Sequence, residues 1–107
     1  MASRVGFQQL GPDVLAAANA AVTYRVNNQE HLTLILNCTA YTASTIVRVD
    51  YSVDGINYFQ AQSYTITAVS TISTVNTPYL NSTIALHSVR VTFVSGTASI
   101  TVTGAVR

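Results

Sequence analysis

The strictest constraint on the fold is the alternation of apolar and polar side chains in residues 45–53, TIVRVDYSV. One face of an extended chain then carries Val47, Val49, Tyr51 and Val53. Only a β-strand has this period of two, because a helix would scatter the same residues around its axis. We therefore expect a strand here with one face in a hydrophobic core.

A tight turn is predicted directly after this strand. Gly55 can adopt the positive φ that such turns need, and the Asp54 carboxylate typically bonds nearby backbone amides. The segment YFQAQ then returns as the partner strand. Residues 46–62 thus read as one β-hairpin.

The same alternation recurs along the rest of the chain. It appears in residues 20–26, 31–38 and 82–95, while residues 63–74 read as one long strand or two. A last hairpin is expected across Ser95, Gly96 and Thr97. Seven to eight short strands without a convincing helix predict an all-β fold, an antiparallel β-sandwich of jelly-roll or immunoglobulin-like type, with a barrel as the open alternative.

The first 19 residues carry no long periodic face. The stretch GPDVLAAANAA is the one helix candidate, but so short a run is marginal in water. We expect residues 1–19 to be an extended N-terminal arm or irregular segment and residues 20–107 to be a single β-sandwich domain.

Charge is scarce, at 8% of residues against about 25% in ordinary soluble domains. The chain has 15 Thr and 10 Ser, and its five basic residues are all arginine. Such a surface repels neighbouring copies weakly, which favours a chain covered by other protein. The alternative is an extracellular β-domain whose Thr and Ser are what strands tolerate.

The residues that could carry chemistry form no recognisable site. His31 and His87 lack metal-ligand spacing, and the carboxylates of Asp50 and Asp54 suit a surface ion pair and a turn. The lone Cys38 excludes an internal disulfide and reads as a buried hydrophobe. We expect no enzyme activity, no cofactor, no metal, no nucleic acid and no membrane span.

Two segments, YSVDGINYF and HSVRVTFVSGTASITVTG, carry a resemblance. The order of a Ser, a DG turn, an Asn and an aromatic residue, then an arginine-bearing strand and a final GT-x-S-x-x-V segment, is similar to small β-sandwich virion proteins of tailed bacteriophages. It covers about residues 32–104, and Tyr58 stands where relatives often carry tryptophan. The resemblance implies a head decoration, cement, fibre or tail component that acts by binding.

We therefore expect a non-enzymatic structural protein of a virus particle, made in the host cytoplasm. Its leading role is capsid decoration: a homo-oligomer, with a trimer favoured, that binds the major capsid protein or other virion proteins. The residues expected to contact partners are Arg4, Phe7, Gln8, Gln9, Leu10, Tyr41 and Tyr79.

The alternative function is a carbohydrate-binding or tail-associated adhesion module. Aromatic rings can stack on sugar rings, and the candidate platforms are Tyr41, Tyr58 and Tyr79.

Overall fold

The prediction of an all-β, antiparallel fold is confirmed. A computed structural model describes residues 8–26, 32–75 and 87–106, and that part of the chain forms six strands without a helix. They are β1 (Gln8–Leu15), β2 (Ala21–Arg25), β3 (Leu32–Ser52), β4 (Tyr58–Ile66), β5 (Ser70–Val75) and β6 (Ser88–Val106). No helix of the described residues is long and apolar enough to cross a membrane.

Two long central strands organise the sheet. β3 and β6 are 21 and 19 residues long, and they pair antiparallel from Leu32 opposite Val106 to Ser52 opposite Ser88. The far side of β3 pairs with β4 and β5, and the far side of β6 pairs with β1 and β2. All six strands thus join into one hydrogen-bonded sheet, and its stacking as a sandwich stays a prediction.

The sheet has two regular halves that meet in an irregular middle. The threonine half consists of β1, β5, residues 32–38 of β3 and residues 100–106 of β6. The arginine half consists of β2, β4, residues 45–52 of β3 and residues 88–93 of β6. The β3–β6 register shifts four times between Cys38 and Val47.

These register shifts correct the prediction of seven to eight short strands for the two longest elements. Buried apolar side chains occupy even positions from Leu32 to Cys38 but odd positions from Val47 to Tyr51. Each extra residue in a bulge reverses which face the next side chain takes, so one bulged strand reads as two strands of opposite phase. The pattern itself was read correctly, and only its interpretation as separate strands was wrong.

The expected hairpin across Ser95, Gly96 and Thr97 is likewise absent, because β6 runs straight through it. Gly96 has a φ of +111°, and an added Cβ would collide with the Ser44 carbonyl oxygen of β3. The glycine therefore serves close approach of two strands at the bulge and does not reverse the chain.

One hydrophobic core unites both halves. Its fully buried side chains come from the threonine half, such as Leu34 and Ile100, and from the arginine half, such as Val49 and Phe93. Tyr51 is also buried, and the centroid of its ring lies 6.1 Å from the centroid of the Phe59 ring. The face predicted for Val47, Val49 and Tyr51 thus lies in the core. Val53, expected on the same face, follows the end of β3 and is 54% exposed.

The N-terminal segment differs from the predicted arm over residues 8–15. There the chain is strand β1, paired with β6, and both Leu10 and Leu15 are buried in the core. A register shift between Leu10 and Asp13 hides the period-two pattern, and Gly11 at φ +73° lies within it. Tertiary pairing therefore orders a segment whose own pattern is too short to predict a strand.

Candidate functional site

The turn between β3 and β4 is held by a dense hydrogen-bond network. Asp54 Oδ1 accepts hydrogen bonds from the backbone N–H groups of Ile56 and Asn57, each at 2.8 Å. The buried Ser52 hydroxyl accepts from the Gly55 N–H at 2.8 Å and donates to Asp54 Oδ1 at 3.0 Å. The backbone amides of Asn57 and then Ile56 hold the pKa of Asp54 well below its usual value. The predicted structural role of Asp54 is thereby confirmed.

His87 closes the other side of this turn. Its backbone N–H donates to the Ser52 carbonyl at 2.8 Å, and its ring is hydrogen-bonded to the Ser88 hydroxyl. An added Cβ on Gly55 would lie 2.6 Å from the His87 ring, so only glycine, at φ +80°, fits here. The histidine thus packs on the turn after β3, directly before β6 begins.

An ion cluster lies on the outer face of the arginine half. Asp50 is opposite Arg90 across the β3–β6 pair, and Arg90 Nη2 lies 3.3 Å from Asp50 Oδ2. Arg48, two residues before Asp50, places its Nε 3.1 Å from Oδ1 and 3.2 Å from Oδ2. An ion pair for Asp50 was expected, but at the surface, whereas Asp50 is buried. The contribution of Arg90 depends on strand register and was missed.

The cluster covers its own carboxylate. The Asp50 side chain is only 3% exposed, although it projects away from the core, while the arginines are 35% and 33% exposed. Tyr58 contributes to this cover, because the Arg90 guanidinium carbon lies 4.1 Å from the centre of its ring. One face of the Tyr58 ring is therefore occupied by a cation and is not open for a sugar ring.

The outer face of the threonine half has a different character. Strand pairing places Thr33, Ile35 and Asn37 of β3 beside Thr101 and Thr103 of β6. Ile35 is 39% exposed, and Val14 of β1, beside Thr101, is 63% exposed. Among the described residues this outer face has no charged side chain.

The two long edges of the sheet also differ. On one edge β4 and β5, residues 58–66 and 70–75, hold neither a charged residue nor a proline. We call this the open edge. On the opposite edge β1 carries the Gly11–Pro12 bulge and β2 ends at the exposed Arg25. Bulges, prolines and charges are the features that stop edge strands from pairing with other chains. The open edge has one such feature, the register shift between Gln62 and Gln60 of β4. The opposite edge has all three, and we call it the protected edge.

Tyr24 joins the two strands of the protected edge. Its hydroxyl donates a hydrogen bond of 2.6 Å to Asp13 Oδ2, which links β2 to β1. Burial, together with the Asp13 carboxylate, raises the pKa of Tyr24 well above its usual value. The phenol therefore stays protonated and keeps this link over the physiological pH range.

The predicted partner-binding residues fall into three groups. Leu10 is a correction, because it is buried in the core and cannot reach a partner. Gln9 is exposed, Gln8 lies in β1, and Tyr41 is half-buried against the core. The remaining predicted contacts, Arg4, Phe7 and Tyr79, lie outside the described residues. His31, which was considered as a metal ligand, lies outside them too.

Chemistry-bearing residues do not assemble into a metal site in the described part of the chain. No three His, Cys, Asp or Glu side chains there are close enough to hold an ion. Cys38 is fully buried with a free thiol. The arrangement offers surfaces for contact: the ion cluster, the uncharged face and the open edge.

Comparison with known proteins supports the fold. No protein-family model and no curated protein matches the sequence. A solved structure from Bacillus endospore appendages, described as a novel family of disulfide-linked pili, is similar with a TM-score of 0.54 and 11% sequence identity. The match covers 94% of this chain and 83% of that chain. At so low an identity the likeness shows a shared fold.

Proposed function

We propose that this chain is a non-enzymatic structural subunit that works in permanent contact with other protein. The observation that carries the proposal is the open edge, a long row of strand residues without charge or proline. An edge strand turns part of its backbone N–H and C=O groups away from its own sheet, and such groups can bond a strand of another chain.

The scarcity of charge supports the same conclusion. Residues 55–89 contain no Asp, Glu, Lys or Arg, and the whole chain has a net charge of only +1. Like-charge repulsion is what keeps domains of this size apart in solution, and here it is weak. The exposed apolar side chains of Val14 and Ile35 add area that contact with protein would bury.

Within this class the first candidate is a component of a bacteriophage particle, in the role of capsid decoration or cement. It is favoured by the resemblance in residues 32–104 to small virion proteins. A homo-oligomer, with a trimer favoured, would bind between capsomers and stabilise the head by burying apolar surface, at about 25 cal/mol for each Å².

The second candidate is a fibre built from copies of the chain. The fold likeness to a protein of disulfide-linked pili favours it. The protected edge resists pairing, and two open edges that pair with each other would close a dimer. A filament instead requires the open edge of one copy to bind a different surface of the next copy, because contacts between unlike surfaces produce rings or open filaments.

The sugar-binding alternative stays a proposal. Arg90 covers one face of the Tyr58 ring, and Tyr41 is half-buried against the core. Stacking needs an exposed ring face, so Tyr58 offers a sugar only its second face.

The test is the mass of the purified chain in solution over a wide concentration range. We expect oligomers for the unmodified chain and monomers for the double variant Ser63→Lys and Thr65→Lys, which places two cations on the exposed side of β4. The matched control is Thr42→Lys with Ser44→Lys, which adds the same charge to exposed positions in the irregular middle of β3.

Electron microscopy of the assembled material separates the two candidates. Closed particles of a few subunits favour the decoration role, and long rods favour the fibre. If the unmodified chain stays a monomer at every concentration, or if both double variants act alike, the open edge is not an assembly surface and the proposal is wrong.

A further inference from the structure

The acidic side chains of the described residues are all engaged within the chain. Asp13 accepts the hydrogen bond of the Tyr24 hydroxyl, and Asp54 accepts those of the turn after β3. Asp50 is enclosed between its two arginines. Exposed arginine groups in this part of the chain therefore have no acidic side chain left among the described residues to neutralise them.

Three arginines form a diagonal row on the outer face of the arginine half. Arg90 of β6 is opposite Thr23, two residues before Arg25 of β2. Arg90 is also opposite Asp50, two residues after Arg48 of β3. Diagonal neighbours on one face of an antiparallel pair are about 7–8 Å apart, so the row extends over about 15 Å. We call Arg25, Arg90 and Arg48 the arginine row.

Two members of the row are held in place before any partner arrives. Arg48 is fixed by Asp50, and Arg90 is fixed by Asp50 on one side and by the Tyr58 ring on the other. A guanidinium has five N–H donors. The ion pairs use Nε of Arg48 and Nη2 of Arg90. Nε of Arg90 is buried, so the donors that Arg90 can offer a partner are on its two terminal nitrogens. About a third of each side chain stays exposed. Side chains already ordered lose little entropy when they bind.

We propose that the arginine row docks an acidic segment of a partner protein, whose carboxylates bond the exposed guanidinium groups. This inference rests on the structural role proposed above and names the chemistry of the partner. Arg25 is exposed and has no ion-pair partner among the described residues, so it provides a first contact. With Asp50 counted, the face has a net charge of +2 from three Arg and one Asp.

Carboxylates fit this row better than a nucleic-acid backbone does. Domains that bind nucleic acid are strongly basic, whereas this chain has a net charge of +1. The row is short, and the aromatic ring beside it, Tyr58, is already covered by Arg90. Base stacking therefore has no described platform here, while the planar guanidinium fork matches a carboxylate in two-point geometry.

The test uses hexaglutamate as the probe and the complete chain as the receptor. NMR titration at low salt is expected to shift the resonances of Arg25, Arg48 and Arg90, and added salt is expected to weaken binding. Arg25→Gln should lower the affinity roughly twofold to fivefold, as expected for one exposed ion pair. The charge-matched control is Thr33→Glu, which lowers the net charge by the same amount on the outer face of the threonine half.

A second pair of variants tests the fork geometry. Arg48→Lys and Arg90→Lys keep the charge but lose two-point bonding, so binding of hexaglutamate should weaken while the chain stays folded by circular dichroism. The proposal is overturned if Thr33→Glu weakens binding as much as Arg25→Gln. It is also overturned if a single-stranded oligonucleotide of equal charge binds more tightly than the peptide.

Failure of this inference is distinguishable from failure of the proposed function. Self-association is measured on the unmodified chain without hexaglutamate, so it does not depend on a ligand at the arginine row. Ser63→Lys lies opposite Arg48 and is therefore not used in the hexaglutamate titration. Normal self-association without hexaglutamate binding would reject the docking site alone.

Discussion

The arginine half and the threonine half share the same two central strands and the same core, yet their outer faces are opposites. One half carries an ion cluster in which Asp50 is almost completely covered. The other carries threonine, asparagine and apolar side chains without a charge among the described residues. The comparison teaches that the inner pattern specifies the fold, while the outer pattern is free to differ between two halves of one strand.

The two outer faces also differ in the desolvation free energy that folding must offset. A covered ion cluster removes charges from water, and that cost is offset only by close pairing. A threonine face stays solvated through its hydroxyl groups and has no such requirement. The outer face of the arginine half therefore requires a specific side-chain geometry, whereas the outer face of the threonine half should tolerate substitution.

The largest effect is expected from the shared core. Leu34→Ala in the threonine half and Phe93→Ala in the arginine half should each lower the free energy of unfolding by about 3–4 kcal/mol, because both side chains are fully buried. Since one core joins the halves, each variant should unfold in a single transition by calorimetry and by chemical denaturation. Separate melting of the altered half would break the view of one cooperative unit.

The next effect separates the halves. Asp50→Ala leaves Arg48 and Arg90 facing each other without a counter-charge, and unfolding with urea should show a loss of about 2 kcal/mol, less than for a fully buried pair because both arginines are partly exposed. Thr101→Ala on the threonine face is the control, with a change within about 0.5 kcal/mol. Equal losses for the two variants would remove the distinction drawn between the faces.

A smaller effect is expected on the stability of the chain at acidic pH. The turn amides hold the pKa of Asp54 below its unfolded value, so its contribution to stability is present above about pH 4 and is lost as the pH falls below that. Asp54→Asn should flatten this acid limb of stability, measured by urea unfolding between pH 7 and pH 2. Thr101→Ala should retain it, and an unchanged limb in Asp54→Asn would show that other carboxylates dominate.

The smallest effect is expected for the Cys38 thiol, which should not react with a labelling reagent in the folded chain. Cys38 is fully buried in the threonine half, so its thiol should not react with an aromatic disulfide reagent until the chain unfolds. Thr39→Cys, at the exposed neighbouring position, should react at once in the folded chain. Because the buried Cys38 thiol cannot form a disulfide with another copy, assemblies of this chain should dissociate in detergent without a reducing agent. Rapid labelling of native Cys38 would mean that the threonine half opens readily.

Several features were predictable because they depend on neighbours in sequence. The face assigned to Val47, Val49 and Tyr51 is the buried face, and Asp54 makes the local bonds that its turn position predicted. These predictions succeed because backbone geometry and short-range hydrogen bonds decide them.

Other features needed long-range pairing and were missed or wrong. Leu10 was expected on a partner surface but is buried, because β1 pairs with β6 more than eighty residues later. Arg90 joins Asp50 through a contact across 40 residues. No local pattern encodes such a register, since period two states only which face a side chain takes.

By itself the sequence determined an antiparallel all-β chain, poor in charge, with a rigid turn after Ser52 and no recognisable catalytic motif. Only the tertiary structure decided that the two central strands are continuous, that their halves carry different outer faces and that one edge is open. The physical reason is that alternation and turn chemistry act between neighbours along the chain, whereas register, bulges and edges arise where distant segments meet.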